Sequence, residues 1–144
     1  MPLNCGCEGS EYLSKLEAAL AMAHDSFQPQ LVLHNAGSDI LENDPLGRRD
    51  LGTTCSLSLI TSRTTSAFAL QHCLIGTARC RMAVSAADML RRDAMVFEWC
   101  RSRDVPVCML LSGGYAAHSA AAVAASLQAL CSAHRPGHLH PDVR

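Results

Sequence analysis

The feature that most constrains the fold is a pair of short, wholly apolar runs that follow prolines. Residues 31–33 read Leu-Val-Leu after Pro29, and residues 107–111 read Val-Cys-Met-Leu-Leu after Pro106. Uninterrupted apolar runs of this length are typical of strands that are buried on both faces, as in parallel sheets. The two runs therefore predict two buried strands.

Three helical patterns alternate with these strands. The first covers residues 11–27 after the N-cap candidate Ser10, the second starts at Ser85 with a Ser-x-x-Asp capping pattern, and the third covers roughly residues 118–133. The side chains predicted to face the core are Leu13, Leu16, Leu20 and Phe27, then Met89, Val96, Phe97 and Cys100, and last Val123, Leu127, Leu130 and Cys131. The order helix, strand, helix, strand, helix predicts an α/β fold with a parallel sheet.

Residues 48–80 fit none of these elements. They are rich in Ser and Thr, lack sustained periodicity and contain no acidic residue after Asp50. Because connections in such folds are usually short, we interpret this segment as an insertion, either a genuine long loop or translated non-coding sequence such as a retained intron. We predict a partial domain over residues 1–134, interrupted at about 48–80, and a flexible tail over residues 135–144.

Composition excludes several classes of function. The 13 acidic and 12 basic side chains leave no basic surface for nucleic acid. No run approaches the roughly 18 apolar residues of a membrane helix, and no secretory signal is visible, so we expect a nuclear or cytoplasmic protein that is neither membrane-bound nor secreted. The eight cysteines include no Cys-x-x-Cys pair, which favours reduced thiols over a zinc knuckle. The sequence does not indicate an oligomeric state.

Polar loops follow both predicted strands. Asp39 lies shortly after the first strand, and Tyr115 lies shortly after the second, beside Gly113 and Gly114. Ligands gather beyond the carboxyl ends of neighbouring parallel strands, so we expect both loops at the same edge of the sheet. There a carboxylate can bind a metal ion, and a phenol can donate to a developing oxyanion.

Each of these residues also has a simpler interpretation. Asp39 can form an Asx turn or a cap, and Tyr115 can be a half-buried core residue. Residues 112–114 can instead cradle a phosphate at the start of the third helix, although they lack the lysine of a P-loop and a full G-x-G-x-x-G pattern.

Two blocks of the sequence resemble histone deacetylases, most closely the class IV type, and they come in the same order along the chain as in that family. Residues 35–47, NAGSDILENDPLG, resemble the zinc-binding loop of that family, with Asn43 where a glycine is usual. Residues 92–97 and 105–115 resemble the stretch that leads to its catalytic tyrosine. The likeness covers roughly residues 3–47 and 81–131, and two blocks in the right order make it more specific than either motif.

The resemblance implies the C-terminal part of an arginase/deacetylase-type α/β fold and zinc-dependent removal of acyl groups from lysine side chains, such as those of histone tails. Asp39 would match a zinc-binding aspartate, and Tyr115 the tyrosine that polarises the amide carbonyl. Gly113 and Gly114 would shape the channel around the acyl-lysine stem.

Other parts of the family's site have no counterpart in this sequence. The family takes two more zinc ligands from an Asp-x-His motif and its acid-base catalysts from a His-His pair, and the chain contains neither pattern. His34, at a strand end, is predicted to be a buried histidine with its hydrogen bonds satisfied. We therefore expect Zn²⁺ to bind only if an upstream portion supplies ligands, and the chain alone to be inactive. The alternatives are a non-catalytic interaction module and a mispredicted gene product.

Overall fold

The computed structural model describes residues 2–3, 7–26, 28–45, 50–61, 67–79 and 82–133. For four of these stretches it describes only the backbone: residues 2–3, 25–26, 50–61 and 67–79. The elements in chain order are β1 (Pro2–Leu3), α1 (Gly9–Ser26), β2 (Leu31–Asn35), β3 (Asp50–Thr61), β4 (Ala67–Arg79), α2 (Ala86–Arg101), β5 (Val107–Leu110) and α3 (Ser119–Ala133). The three predicted helices and two predicted strands are confirmed to within about two residues. The predicted tail and Phe27 lie outside the described residues.

The strands form one sheet in the order β1-β3-β4-β2-β5. β2 pairs in parallel with β5, with Val32 opposite Val107, and it pairs in parallel with β4 on its other side. The predicted α/β fold with a parallel sheet is confirmed, and the two strands found from the sequence are direct neighbours.

The described parts of the 48–80 segment are the strands β3 and β4, where the sequence analysis predicted no element. Their backbones pair antiparallel, from Asp50 opposite Arg79 to Thr61 opposite Phe68. Such a ladder satisfies backbone hydrogen bonds whatever the side chains are, so a segment without apolar alternation can still form it. That this segment is an insertion stays a prediction.

The helices α1 and α2 pack on one face of the sheet. Val32 is 1% exposed beneath a cluster whose other buried members are Leu16, Ala19, Leu20, Ala23, Val96, Trp99 and Cys100. The opposite face is more open, since Leu31 is 37% and Leu110 is 47% exposed. The prediction that both strands are buried on both faces is therefore wrong for the described residues.

The predicted capping of α2 is confirmed. The Ser85 hydroxyl accepts a hydrogen bond from the backbone N–H of Asp88 and donates to its carboxylate at 2.7 Å. This arrangement satisfies one of the free N–H groups at the start of the helix.

The predicted core face of α3 is wrong for two of its four residues. Leu127 is 38% exposed and Cys131 is exposed, whereas Ser126 is buried. The buried stripe consists of Ser119, Ala122, Ser126 and Leu130. The reason is that Ser126 packs against a buried carboxylate on α2, which places the small residues of α3 rather than Leu127 toward the core.

Candidate active site

The loops after β2 and β5 lie side by side, as the sequence predicts. The strand pairing continues beyond the strand ends, because the N–H of Ala36 donates to the carbonyl of Leu110 at 2.8 Å, and the N–H of Ser38 donates to the carbonyl of Ser112 at 3.2 Å. The Ser112 hydroxyl also donates to the side-chain oxygen of Asn35. These bonds fix the two loops to each other at one edge of the sheet.

The Asp39 side chain packs directly against the Gly113 backbone. A Cβ atom at Gly113 would lie 2.9 Å from Cγ of Asp39, and Gly113 has φ +56°, a conformation that favours glycine. Burial raises the pKa of Asp39 above its ordinary value; its own backbone amide opposes this increase, and the nearby Asp44 carboxylate adds to it. A cation beside Asp39 would therefore be favourable.

Gly114 makes room for the other loop in the same way. A Cβ atom there would overlap the Ser38 hydroxyl, and Gly114 has φ +109°. The Ser38 hydroxyl donates weakly to the carbonyl of Gly113 at 3.4 Å. Both glycines therefore allow the close approach of the two loops. Their predicted role in binding substrate stays a prediction.

Tyr115 extends from this turn toward solvent. Its side chain is 58% exposed, so the interpretation as a half-buried core residue is wrong. Its backbone is fixed, because the N–H groups of Tyr115 and Ala116 donate to Oδ2 of Asp44 at 2.7 and 3.0 Å. The Asp44 carboxylate is 1% exposed and comes from the same loop as Asp39.

The Asp39 loop turns at Asn43, where the family resemblance expected a glycine. Asn43 has φ +65°, in the left-handed region that glycine adopts most readily and that Asn tolerates better than most residues. Asn43 thus adopts a backbone conformation that a glycine would take readily, in the turn that leads to Asp44.

A buried polar network supports the Asp39 loop from α2, and its role was not predicted from the sequence. Arg92 donates to the carbonyls of Gly37 and Ala36 at 2.7 and 3.2 Å, and to Oδ1 of Asp93 at 2.7 Å. Both residues are almost fully buried, with exposures of 1% and 0%. A signal was available, because Arg92 and Asp93 follow Met89 at three- and four-residue spacing and so lie on the predicted core stripe.

Asp93 also binds two other elements. It accepts hydrogen bonds from Nε2 of His34 at 2.8 Å and from the Ser126 hydroxyl at 2.5 Å. Burial alone would raise the pKa of Asp93, but its hydrogen bond with His34 and the Arg92 guanidinium outweigh burial, and the pKa lies below its ordinary value. The network thus joins β2, α2 and α3.

His34 is buried as predicted, with 1% exposure. Its Nε2–H donates to Asp93, but its Nδ1 has no hydrogen-bond partner in the part of the chain that the structure describes. The prediction that both ring nitrogens are hydrogen-bonded is therefore confirmed for only one of them. Burial lowers its pKa from the ordinary 6.5, against the opposing effect of Asp93. His34 is therefore a neutral core histidine that faces the helices.

The described residues do not support the phosphate interpretation. α3 begins only at Ser119, beyond the glycine turn. The amides of Tyr115 and Ala116 already donate to the Asp44 carboxylate, whose negative charge opposes a phosphate.

Two further absences hold for the described ranges between residues 2 and 133. No group of three or more His, Cys, Asp or Glu side chains there is arranged to hold a metal ion. No helix in those ranges has the length and hydropathy to cross a membrane.

Comparison with known proteins identifies the family. The family model for the histone deacetylase domain matches residues 1–77, which is more than half of the chain and includes Asp39. The chain belongs to the histone deacetylase family. Histone deacetylase 2 of Arabidopsis thaliana is 34% identical over 125 residues, which cover 87% of this chain and 24% of that protein. The histone deacetylase domain described here thus spans about a quarter of the length of this curated relative.

Proposed function

We propose that this chain carries one side of a zinc-dependent lysine deacylase site, with Asp39 as a zinc ligand and Tyr115 as the catalytic phenol. The observation that supports this most strongly is the contact between the two loops. The carboxylate of Asp39 packs against Gly113, next to the turn that presents Tyr115, in a chain of the histone deacetylase family.

Asp39 fits the chemistry of a single zinc ligand. Its carboxylate is half-buried against the Gly113 backbone, and carboxylate oxygen is an established donor for zinc. A catalytic zinc site needs three protein ligands, and the described residues contain no such group. Because the sequence also lacks the family's Asp-x-His motif, we propose that two further ligands come from a longer form of the protein or from another chain.

Tyr115 would bind the oxygen of the substrate carbonyl. A bound zinc ion would supply Lewis acidity to that carbonyl and to a water molecule. The phenol O–H of Tyr115 would donate a hydrogen bond to the oxyanion as it forms, and its exposed side chain leaves room for a substrate to reach it. Gly113 and Gly114, which carry no side chains, would form part of the wall around an acyl-lysine stem.

The sequence contains no His-His pair of the kind that supplies the acid-base catalysts in the family, and the described His34 does not fill that role. His34 is buried on the side of the sheet that faces the helices, and it is bonded to Asp93 there. We therefore propose that the chain alone does not hydrolyse acyl-lysine. In a complete site the substrate would be an acyl-lysine protein such as a histone tail.

The purified chain provides the test. We expect titration with Zn²⁺ to show no tight stoichiometric binding, and we expect no hydrolysis of an acetyl-lysine peptide above the buffer rate. Turnover by the chain that Tyr115→Phe abolishes would contradict the proposal, because it would show that a complete site exists within these residues.

A further inference from the structure

Asp44 joins the two loops of the candidate site through one carboxylate oxygen. Oδ2 accepts from the backbone N–H of Tyr115 at 2.7 Å and from that of Ala116 at 3.0 Å. Asp44 belongs to the loop of Asp39, and the two donors belong to the loop after β5, at a sequence separation of 71 and 72 residues. The contact therefore sets the position of one loop relative to the other.

The physical setting makes this contact strong. The Asp44 side chain is 1% exposed, so little water competes for its oxygen atoms. Hydrogen bonds from N–H groups to an ionised carboxylate are about twice as strong as neutral ones. The Tyr115 ring, in contrast, is 58% exposed, so few packing contacts hold it and its position depends on its backbone.

We propose that Asp44 is a positioning residue for the reaction, which holds the backbone of Tyr115 so that its phenol is presented at the loop edge where Asp39 packs against Gly113. The catalytic role of Tyr115 in this statement rests on the proposed function. Asp44 touches neither substrate nor metal in this proposal and acts on Tyr115 through the two backbone amides.

The two tyrosines of the chain allow the proposal to be tested without turnover. Tyr12 is 2% exposed, and Tyr115 is 58% exposed, so ¹⁹F NMR of the full chain labelled with 3-fluorotyrosine should give two distinct signals. Asp44→Ala should shift or narrow the Tyr115 signal and leave the Tyr12 signal in place. Hydrogen exchange at the amides of Tyr115 and Ala116 should accelerate by about tenfold or more.

Asp44→Asn should restore most of the original spectrum, because its single amide oxygen can accept both N–H groups. Asp88→Ala is the matched control, since it removes another aspartate whose carboxylate accepts a hydrogen bond from Ser85, at the start of α2. That variant should leave the Tyr115 signal unchanged, which separates positioning from a general loss of stability.

Three results would overturn the proposal. The first is a Tyr115 signal and amide exchange unchanged in Asp44→Ala, the second is an equal change at Tyr12, and the third is no recovery in Asp44→Asn. Failure of the proposed function would be seen separately, in zinc binding and peptide hydrolysis, because the NMR measurement requires neither.

Discussion

The replacement of Arg92 by Met should cause a large loss of stability. Met keeps an unbranched apolar stem of similar length but removes the guanidinium. The carbonyls of Ala36 and Gly37 then lose their donors, and Asp93 loses its ion-pair partner inside the core. His34 and Ser126 stay bonded to Asp93, so the carboxylate is not left entirely alone.

The magnitude follows from the burial of the pair. Arg92 and Asp93 are 1% and 0% exposed, and removal of one partner from a buried ion pair costs about 3–5 kcal/mol. The whole stability of a domain of this size is about 5–15 kcal/mol. With a urea slope of about 2 kcal/mol per molar, the unfolding midpoint should fall by roughly 2 M.

Arg101→Met is the matched control on the same helix. Arg101 pairs with Glu98 at 2.5 Å, but the two side chains are 61% and 58% exposed, and exposed pairs contribute less than about 1 kcal/mol. Urea unfolding followed by far-ultraviolet circular dichroism should therefore separate the two variants clearly. Equal losses would refute the reasoning, because burial would then make no difference to the pair.

Three further changes test other parts of the structure by the same urea assay. Burial lowers the pKa of His34 in the folded chain, so the contribution of His34 to the free energy of unfolding is complete above about pH 6.5. This contribution falls as the pH drops from there toward the lowered pKa of the folded chain, by no more than about 1.4 kcal/mol per pH unit. The fall should be absent from His34→Gln. Ser85→Ala removes the cap of α2 and should cost about 1 kcal/mol, and an unchanged midpoint would show that the cap contributes nothing. Gly113→Ala should cost at least about 1–2 kcal/mol, because φ +56° is strained for alanine and its Cβ would press on Asp39; a neutral effect would contradict the described packing.

The positions of the two loops could be predicted from the sequence because they depend on local patterns. Short apolar runs fix the ends of β2 and β5, and the polar residues that follow must then lie beyond those ends. Parallel pairing of neighbouring strands brings Asp39 and the glycine turn together, and the structure confirms this contact.

The contacts that support the loops could not be predicted in the same way. The bond from Tyr115 to Asp44 joins residues 71 apart, and nothing local in either loop specifies it. The face of α3 that is buried is the one that carries Ser126, because the Ser126 hydroxyl donates a hydrogen bond to Asp93 on α2. This long-range contact outweighs the tendency of the apolar Leu127 to face the core. β3 and β4 depend on pairing between backbones, for which their sequence carries no alternating pattern.

The two loops and their supports form a consistent physical picture. Arg92 holds the Asp39 loop through two carbonyls on the side of α2, and Asp44 holds the Tyr115 turn through two amides. Neither Arg92 nor Asp44 has a side chain that is more than 1% exposed, whereas Tyr115 is open to solvent. Buried side chains thus hold both loops in place, while the Tyr115 side chain remains accessible from solvent.

The most direct test of the central claim is zinc content and peptide hydrolysis in a chimera. This chain would replace the aligned stretch of the Arabidopsis relative, whose remaining residues would supply the rest of the domain. We predict that the folded chimera binds one zinc ion per chain and hydrolyses an acetyl-lysine peptide, that Asp39→Ala loses both properties, and that Tyr115→Phe keeps zinc but loses roughly 100-fold or more in turnover. Full zinc occupancy in the folded Asp39→Ala chimera would contradict the account.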